Sequence, residues 1–151
     1  MSLRERFTTM MKESMKSGDK PRLATVRMVQ AALKDKDIEA RGLGKTIGEE
    51  DILALLQKMV KSRQESLTMY EQAGREDLAS QERGEIAVIH EFLPTQMGED
   101  EVKAAIAAAV SETGAVAMKD MGKVVAALKA RYAGQMDFAK ASALVKAALN
   151  G

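Results

Sequence analysis

The stretch Thr46-Ile47-Gly48-Glu49-Glu50-Asp51-Ile52-Leu53-Ala54-Leu55-Leu56-Gln57-Lys58-Met59-Val60 reads as the opening of a long helix. Thr46 with Glu49 three residues on has the form of a capping box, in which a hydroxyl and a carboxylate satisfy each other's orphan backbone donors. The three acids Glu49, Glu50 and Asp51 fall where the helix dipole favours negative charge. Ile52, Leu55, Leu56, Met59, Val60, Leu67 and Tyr70 then recur at helical spacing, and Gly74 ends the run. So long an amphipathic helix has to be covered, and the surrounding sequence supplies only further helices.

Upstream, Ser2 and Glu5 form a second capping box, and Leu3, Phe7, Met10, Met11 and Met15 make one stripe that stops near Ser17-Gly18. Asp19 caps the next helix, with Pro21 in its first turn and Leu23, Val26, Val29 and Leu33 facing inward. That helix runs toward Gly42, with Lys34-Asp35-Lys36-Asp37 on a solvated surface. Downstream, a fourth helix begins near Asp77, carries Leu78, Ile86, Ile89 and Leu93, and halts at Pro94, which disfavours helical geometry in the residue before it. Residues 95–98 read as a hinge. Beyond it, Val102, Ile106 and Val110 mark a helix ended by Gly114; Met121, Val124, Val125, Leu128 and Tyr132 mark another ended by Gly134; and Asp137 caps a third with Phe138, Ala141, Val145 and Leu149 inward. No period-2 strand pattern and no internal repeat is evident. The expectation is an all-α chain with an N-terminal domain over 1–97 and a three-helix domain over 98–151.

Composition agrees. Of 151 residues, 46% are hydrophobic and 30% charged, which is the balance of a globular chain. No cysteine is present, so thiolate catalysis, disulfides and zinc–thiolate sites are excluded. The N-terminus lacks the apolar core of a signal peptide and no stretch has the length of a membrane span, so a cytoplasmic protein that does not engage the membrane is expected.

Chemistry-bearing motifs are scarce. Arg41-Gly42-Leu43-Gly44-Lys45-Thr46 contains Gly-Lys-Thr, but a phosphate-binding loop needs a glycine where Glu39 stands, and a preceding strand. It reads as an interhelical loop. His90 is the only histidine and has no acidic cluster at ligand spacing around it, so it reads as a helix residue at the edge of the core, and no metal or other cofactor is expected. The serines are not set in a nucleophile motif, so no catalytic residue is assigned. The eleven methionines fall mostly on apolar stripes and are read as packing.

Charge, by contrast, is unevenly spread. Residues 1–97 are neutral, with 16 basic and 16 acidic residues; residues 98–113 carry one lysine against four acids; residues 114–151 carry six basic residues against two acids, a net of +4. Such a basic segment points to an anionic partner. Within it, Met118-Lys119-Asp120-Met121-Gly122-Lys123-Val124-Val125-Ala126-Ala127-Leu128 sets Lys119 and Lys123 roughly opposite the apolar face, beside a strip of small residues, Gly122, Ala126 and Ala130. A mid-helix glycine costs about 1 kcal/mol relative to alanine. The strip serves either close approach of a nucleic-acid backbone or packing against a neighbouring helix, and spacing alone favours packing. Low aromatic content argues against base-stacking modules.

Met118 to Val124 resembles the signature of the YqeY family and is similar to the C-terminal tail of GatB, a subunit of the glutamine-dependent tRNA amidotransferase. Arg22-Leu23-Ala24-Thr25-Val26-Arg27, Ala73-Gly74-Arg75-Glu76-Asp77-Leu78-Ala79 and Phe92-Leu93-Pro94 extend the resemblance along the chain. It implies a helical N-terminal lobe followed by a three-helix tail of the GatB type. It also implies a tRNA-contacting appendage, with the carbon–nitrogen ligase chemistry that uses glutamine as amido donor residing in other domains and subunits. Lys119 and Lys123 fall on the tail motif and are the expected phosphate contacts; Lys129, Arg131, Lys140 and Lys146 join them on charge alone. The expected partner is tRNA or another structured RNA. The alternatives are an adaptor docking on a synthetase or amidotransferase complex, and a component of such a ligase acting with partner subunits. Arg27 and Arg75 match recurrent family positions, and among so many acids both read as ion-pair partners within the bundle.

Overall fold

The computed structural model describes residues 1–150, which form seven α-helices and no strand. They are α1 (Leu3–Ser17), α2 (Lys20–Gly42), α3 (Glu49–Gln72), α4 (Glu76–His90), α5 (Glu99–Thr113), α6 (Met121–Tyr132) and α7 (Phe138–Asn150), with a 3-10 turn at Met118–Asp120. The chain is all-α. It divides into two compact units, one ending at Pro94 and one starting at Thr95. The sequence places that division after Met97, with a hinge over 95–98. The earlier boundary has a local cause: the Met97 N–H donates to the Gln135 carbonyl at 2.8 Å, and the Gln96 amide to the Gly134 carbonyl at 2.7 Å, so this segment belongs to the tail.

In the N-terminal unit the stripes meet in one core of Leu3, Phe7, Met10, Val26, Val29, Leu33, Ile52, Leu56, Ile89 and Phe92. Phe7 and Phe92 meet edge to face with centroids 4.7 Å apart, a geometry worth about 1 kcal/mol beyond area burial. Arg6 covers the outer face of Phe92 at 5.3 Å and donates to the Glu91 carbonyl. The boundary of α1 follows its sequence signals: Ser2 and Glu5 exchange hydrogen bonds at its start, and Gly18 closes it at φ 73. Asp19 caps α2 by accepting from the Arg22 N–H.

The start of α3 differs from expectation. Its cap is Gly48, whose N–H donates to the Asp51 carboxylate at 2.9 Å, so the helix begins after the Thr46 hydroxyl. Glu49, expected to complete the box with Thr46, instead accepts from the Leu3 N–H at 3.2 Å and caps α1. Two other readings are corrected. Met15, placed on the inward stripe of α1, is exposed, as are Met1, Met28, Met69 and Met118, whereas the other six of the eleven methionines pack in or against the two cores. His90, expected at the core edge, is exposed as the last residue of α4. Arg75 is an ion-pair partner, but of Asp77 two residues away, whereas Arg27 meets no carboxylate among the described residues and lies 4.0 Å from the Met15 sulfur.

The tail has its own core: Ala105, Ile106, Ala109, Ala115, Val124, Leu128, Met136, Ala141 and Val145, with Tyr132 and Phe138 packed partly buried against it. Alanine at several of these positions lets three short helices approach closely around few large side chains.

Candidate nucleic-acid interface

The entry to α6 is built by one carboxylate. Asp120 is buried at 9% exposure and accepts from the Val116 N–H at 3.0 Å and the Ala117 N–H at 3.3 Å. These two backbone bonds, the Val116 one above all, hold its pKa below the ordinary 3.8, with Lys123 and Lys119 adding attraction. Ala117 can offer no side-chain cap, and Asp120 satisfies the backbone donors in its place. Asp120 thereby ties Met118 and Lys119 into a fixed turn at the head of the helix. Stability linked to this group is present above pH 3.8 and lost as the pH falls through its depressed value.

From that turn, α6 buries Val124 and Leu128 and half-buries Met121, Val125 and Tyr132. Gly122, Lys123, Ala126, Lys129 and Ala130 are exposed. The small-residue strip therefore does not pack within the tail. A Cβ built on Gly122 would meet nothing within 4 Å, which overturns the expectation, drawn from spacing, that the strip seats a neighbouring helix of the same chain. At helical pitch, Lys123 and Lys129 flank the strip on opposite sides.

The six candidate cations fare differently. Lys119, Lys129, Lys140 and Lys146 are exposed, and no ion pair engages them among the described residues. Lys123 is 71% exposed, with its nitrogen 4.0 Å from the Asp120 carboxylate, at the limit of a salt bridge. Arg131 is a correction. Its guanidinium pairs with Glu112 of α5, and that hydrogen bond raises its pKa further, so it is part of the tail's framework rather than an open cation.

Neither α6 nor α7 contains a single Asp or Glu, while together they hold five basic residues. Most charged helices mix signs, and this pair does not. Ala139, Ala143 and Ala147 on α7 are also exposed, forming a second small-residue strip that the sequence assigned no role. Their alanines carry no local signal; only the burial of Ala141 and Val145 shows which face points outward.

Elsewhere the chemistry is sparse. No group of three or more acidic or histidine side chains that could hold a metal occurs among the described residues, and no helix there is long and apolar enough to cross a membrane. The Gly-Lys-Thr segment is a loop between α2 and α3, as its context predicts, with Gly44 at φ 69. It borders an open groove of about 360 Å³ lined by Ala40, Leu43, Ile47, Leu55 and three lysines.

Several proteins named "Altered inheritance of mitochondria protein 41, mitochondrial" resemble this chain. The one from Pyrenophora tritici-repentis is 32% identical over 128 residues, covering 80% of this chain and 68% of its own length. Those from Vanderwaltozyma polyspora and Lachancea thermotolerans are 28% and 30% identical over 83 residues, covering 55% of this chain. In these two the match spans only 44% and 43% of the relative's own length. The sequence model described as "Yqey-like protein" matches residues 4–149, taking in all of the seven helices but Leu3 at the start of α1 and Asn150 at the end of α7. The chain belongs to the YqeY family.

Proposed function

We propose that the protein is a non-catalytic accessory that binds tRNA or another structured RNA through the exposed faces of its tail. The observation that carries this reading is the absence of any acid from α6 and α7, combined with five exposed lysines at positions 119, 123, 129, 140 and 146, none in a close ion pair. A solvated face with no task commonly interleaves both signs, and this one leaves its charge to be neutralised from outside. The resemblance of Met118 to Val124 to the tail of the tRNA amidotransferase subunit supports this choice of partner class. No carboxylate, histidine or cysteine lies on α6 or α7, so the chemistry of such a ligase would belong to partner subunits, and the purified chain should not hydrolyse glutamine.

Recognition is of backbone and shape, because no exposed aromatic side chain lies on α6 or α7 to stack on a base. If about three to five phosphates are neutralised, log affinity falls with log salt at a slope of a few units. Titrating the protein with unfractionated tRNA at several salt concentrations tests this. Binding that weakens when Lys119 and Lys123 are replaced by alanine supports the reading; absence of binding at low salt removes it. The chain is read as cytoplasmic, whereas the fungal relatives carry mitochondrial names; fractionation of cells expressing the tagged chain decides the compartment.

The exposed Gly122/Ala126/Ala130 strip favours one second reading, an adaptor that seats a helix of a synthetase or amidotransferase complex. Ala126→Leu should then abolish partner capture with the helical spectrum intact, and RNA affinity should not follow.

A further inference from the structure

Although no internal repeat is evident along the chain as a whole, α6 and α7 share one local pattern of lysines, small residues and buried positions at an offset of seventeen residues. Gly122-Lys123 and Lys129-Ala130 in α6 correspond to Ala139-Lys140 and Lys146-Ala147 in α7. Between the lysines, Val124 and Leu128 are buried in one helix and Ala141 and Val145 in the other. Exposure agrees along the whole repeat except at its sixth position, where Ala127 is half-buried and Leu144 exposed. The same rotation about the helix axis is therefore imposed on both helices, and both lysine pairs face away from the core. Lysines six residues apart stand about 9 Å apart along the axis and roughly a third of a turn apart around it. A ridge of residues no larger than alanine runs between them.

We infer that α6 and α7 are two equivalent phosphate-straddling units for duplex RNA, each laying its small-residue ridge against the minor groove while its two lysines reach the phosphates on either side. The inference rests on the RNA-binding reading above and specifies the form of RNA and the second helix. Three features select the ligand. The A-form minor groove is wide and shallow and bordered by phosphates and 2′-hydroxyls, so a low ridge between two cations fits it, whereas the deep A-form major groove excludes side chains. Single strands are recognised by stacking, and the aromatic groups of this region, Tyr132 and Phe138, are committed to the core. B-DNA admits a helix through its major groove, where sequence is read by Arg, Asn or Gln at base edges, and the ridges offer only Gly and Ala.

The test uses the full chain with an RNA duplex of about 20 base pairs, the same sequence as DNA duplex, and tRNA. Dissociation constants are measured across a salt series for the parent, for Lys123→Ala with Lys129→Ala, for Lys140→Ala with Lys146→Ala, and for Ala126→Leu and Ala143→Leu. Each lysine double variant should lower the log–log salt slope by about two units, and by the same amount. Each leucine variant should weaken RNA duplex binding about tenfold or more at unchanged slope, because it lifts the ridge without altering charge. The DNA duplex should bind more weakly than the RNA duplex. If the α7 double variant leaves the slope unchanged while the α6 one lowers it, the equivalence is refuted and the RNA-binding reading survives. Equal affinity for DNA, or indifference to both leucines, refutes the minor-groove mode. If the parent binds neither tRNA nor duplex, both the inference and the reading fall. Circular dichroism of each variant confirms that lost binding is not lost helix.

Discussion

Ser14 lies at 2% exposure on the inner face of α1 with its hydroxyl oxygen lacking a hydrogen-bond partner. An unsatisfied buried hydroxyl costs about 1–3 kcal/mol of desolvation, so its removal is expected to be free of penalty. Ser14→Ala should leave stability unchanged or raise it by up to about 1 kcal/mol in urea unfolding; a loss of that size would show that the hydroxyl is hydrogen-bonded in the folded chain. Glu82 presents the titrating counterpart. Burial first, then the neighbouring Glu85 carboxylate, push its pKa above the ordinary 4.5, and Arg63 offsets this only in part. Arg63 is already committed to Glu85 at 2.9 Å. Because the folded chain favours the protonated form, this contribution to stability is present below pH 4.5 and is lost as the pH rises through the raised value. Glu82→Gln should therefore stabilise the protein at pH 7, and its advantage should shrink toward pH 4. Urea midpoints at the two values check it, and an advantage that grows on acidification would contradict the assignment.

At the scale of elements, two glycines make opposite predictions. Gly122 has helical backbone geometry and open space around it, so Gly122→Ala should stabilise the tail by about 0.5–1 kcal/mol. Gly114 closes α5 at φ 68, and Gly114→Ala should destabilise it by about 1–2 kcal/mol. Thermal melts of both variants test the pair. Helix existence and facing were legible because apolar spacing, caps and glycine stops agree at several elements: Ser2 with Glu5, Asp19 before Pro21, Gly18 and Gly114 after the last turn. What escaped was decided by tertiary contact. Glu49 has the spacing of a local cap, yet α1 arrives close enough to take its carboxylate, leaving Asp51 to serve α3. Arg131 has the look of an open cation until α5 brings Glu112 against it. The second small-residue strip was hidden because alanine is at home on either face of a helix, and only the packing of α7 assigns sides.

Over the whole molecule, formal charge is nearly balanced at +1, so any attraction for a polyanion has to come from distribution rather than total. The tail supplies it: α5 opens with Glu99, Asp100 and Glu101, whereas α6 and α7 are free of acid. An interaction of this kind is screened by salt and carried by many weak contacts, so single lysine substitutions should each weaken binding modestly and uniformly across RNA sequences. Charge segregation was readable from the sequence; its presentation on exposed faces was not, since that depends on which turns of each helix the small core consumes.

Lysine footprinting tests the central claim most directly. The protein is acetylated briefly with and without saturating tRNA at low salt, and modification at each lysine is read by mass spectrometry. The account predicts that Lys119, Lys123, Lys129, Lys140 and Lys146 lose reactivity together while Lys12, Lys34 and Lys58, exposed on the N-terminal unit, keep theirs. Protection confined to the N-terminal lysines, or none at all with tRNA bound, would contradict it.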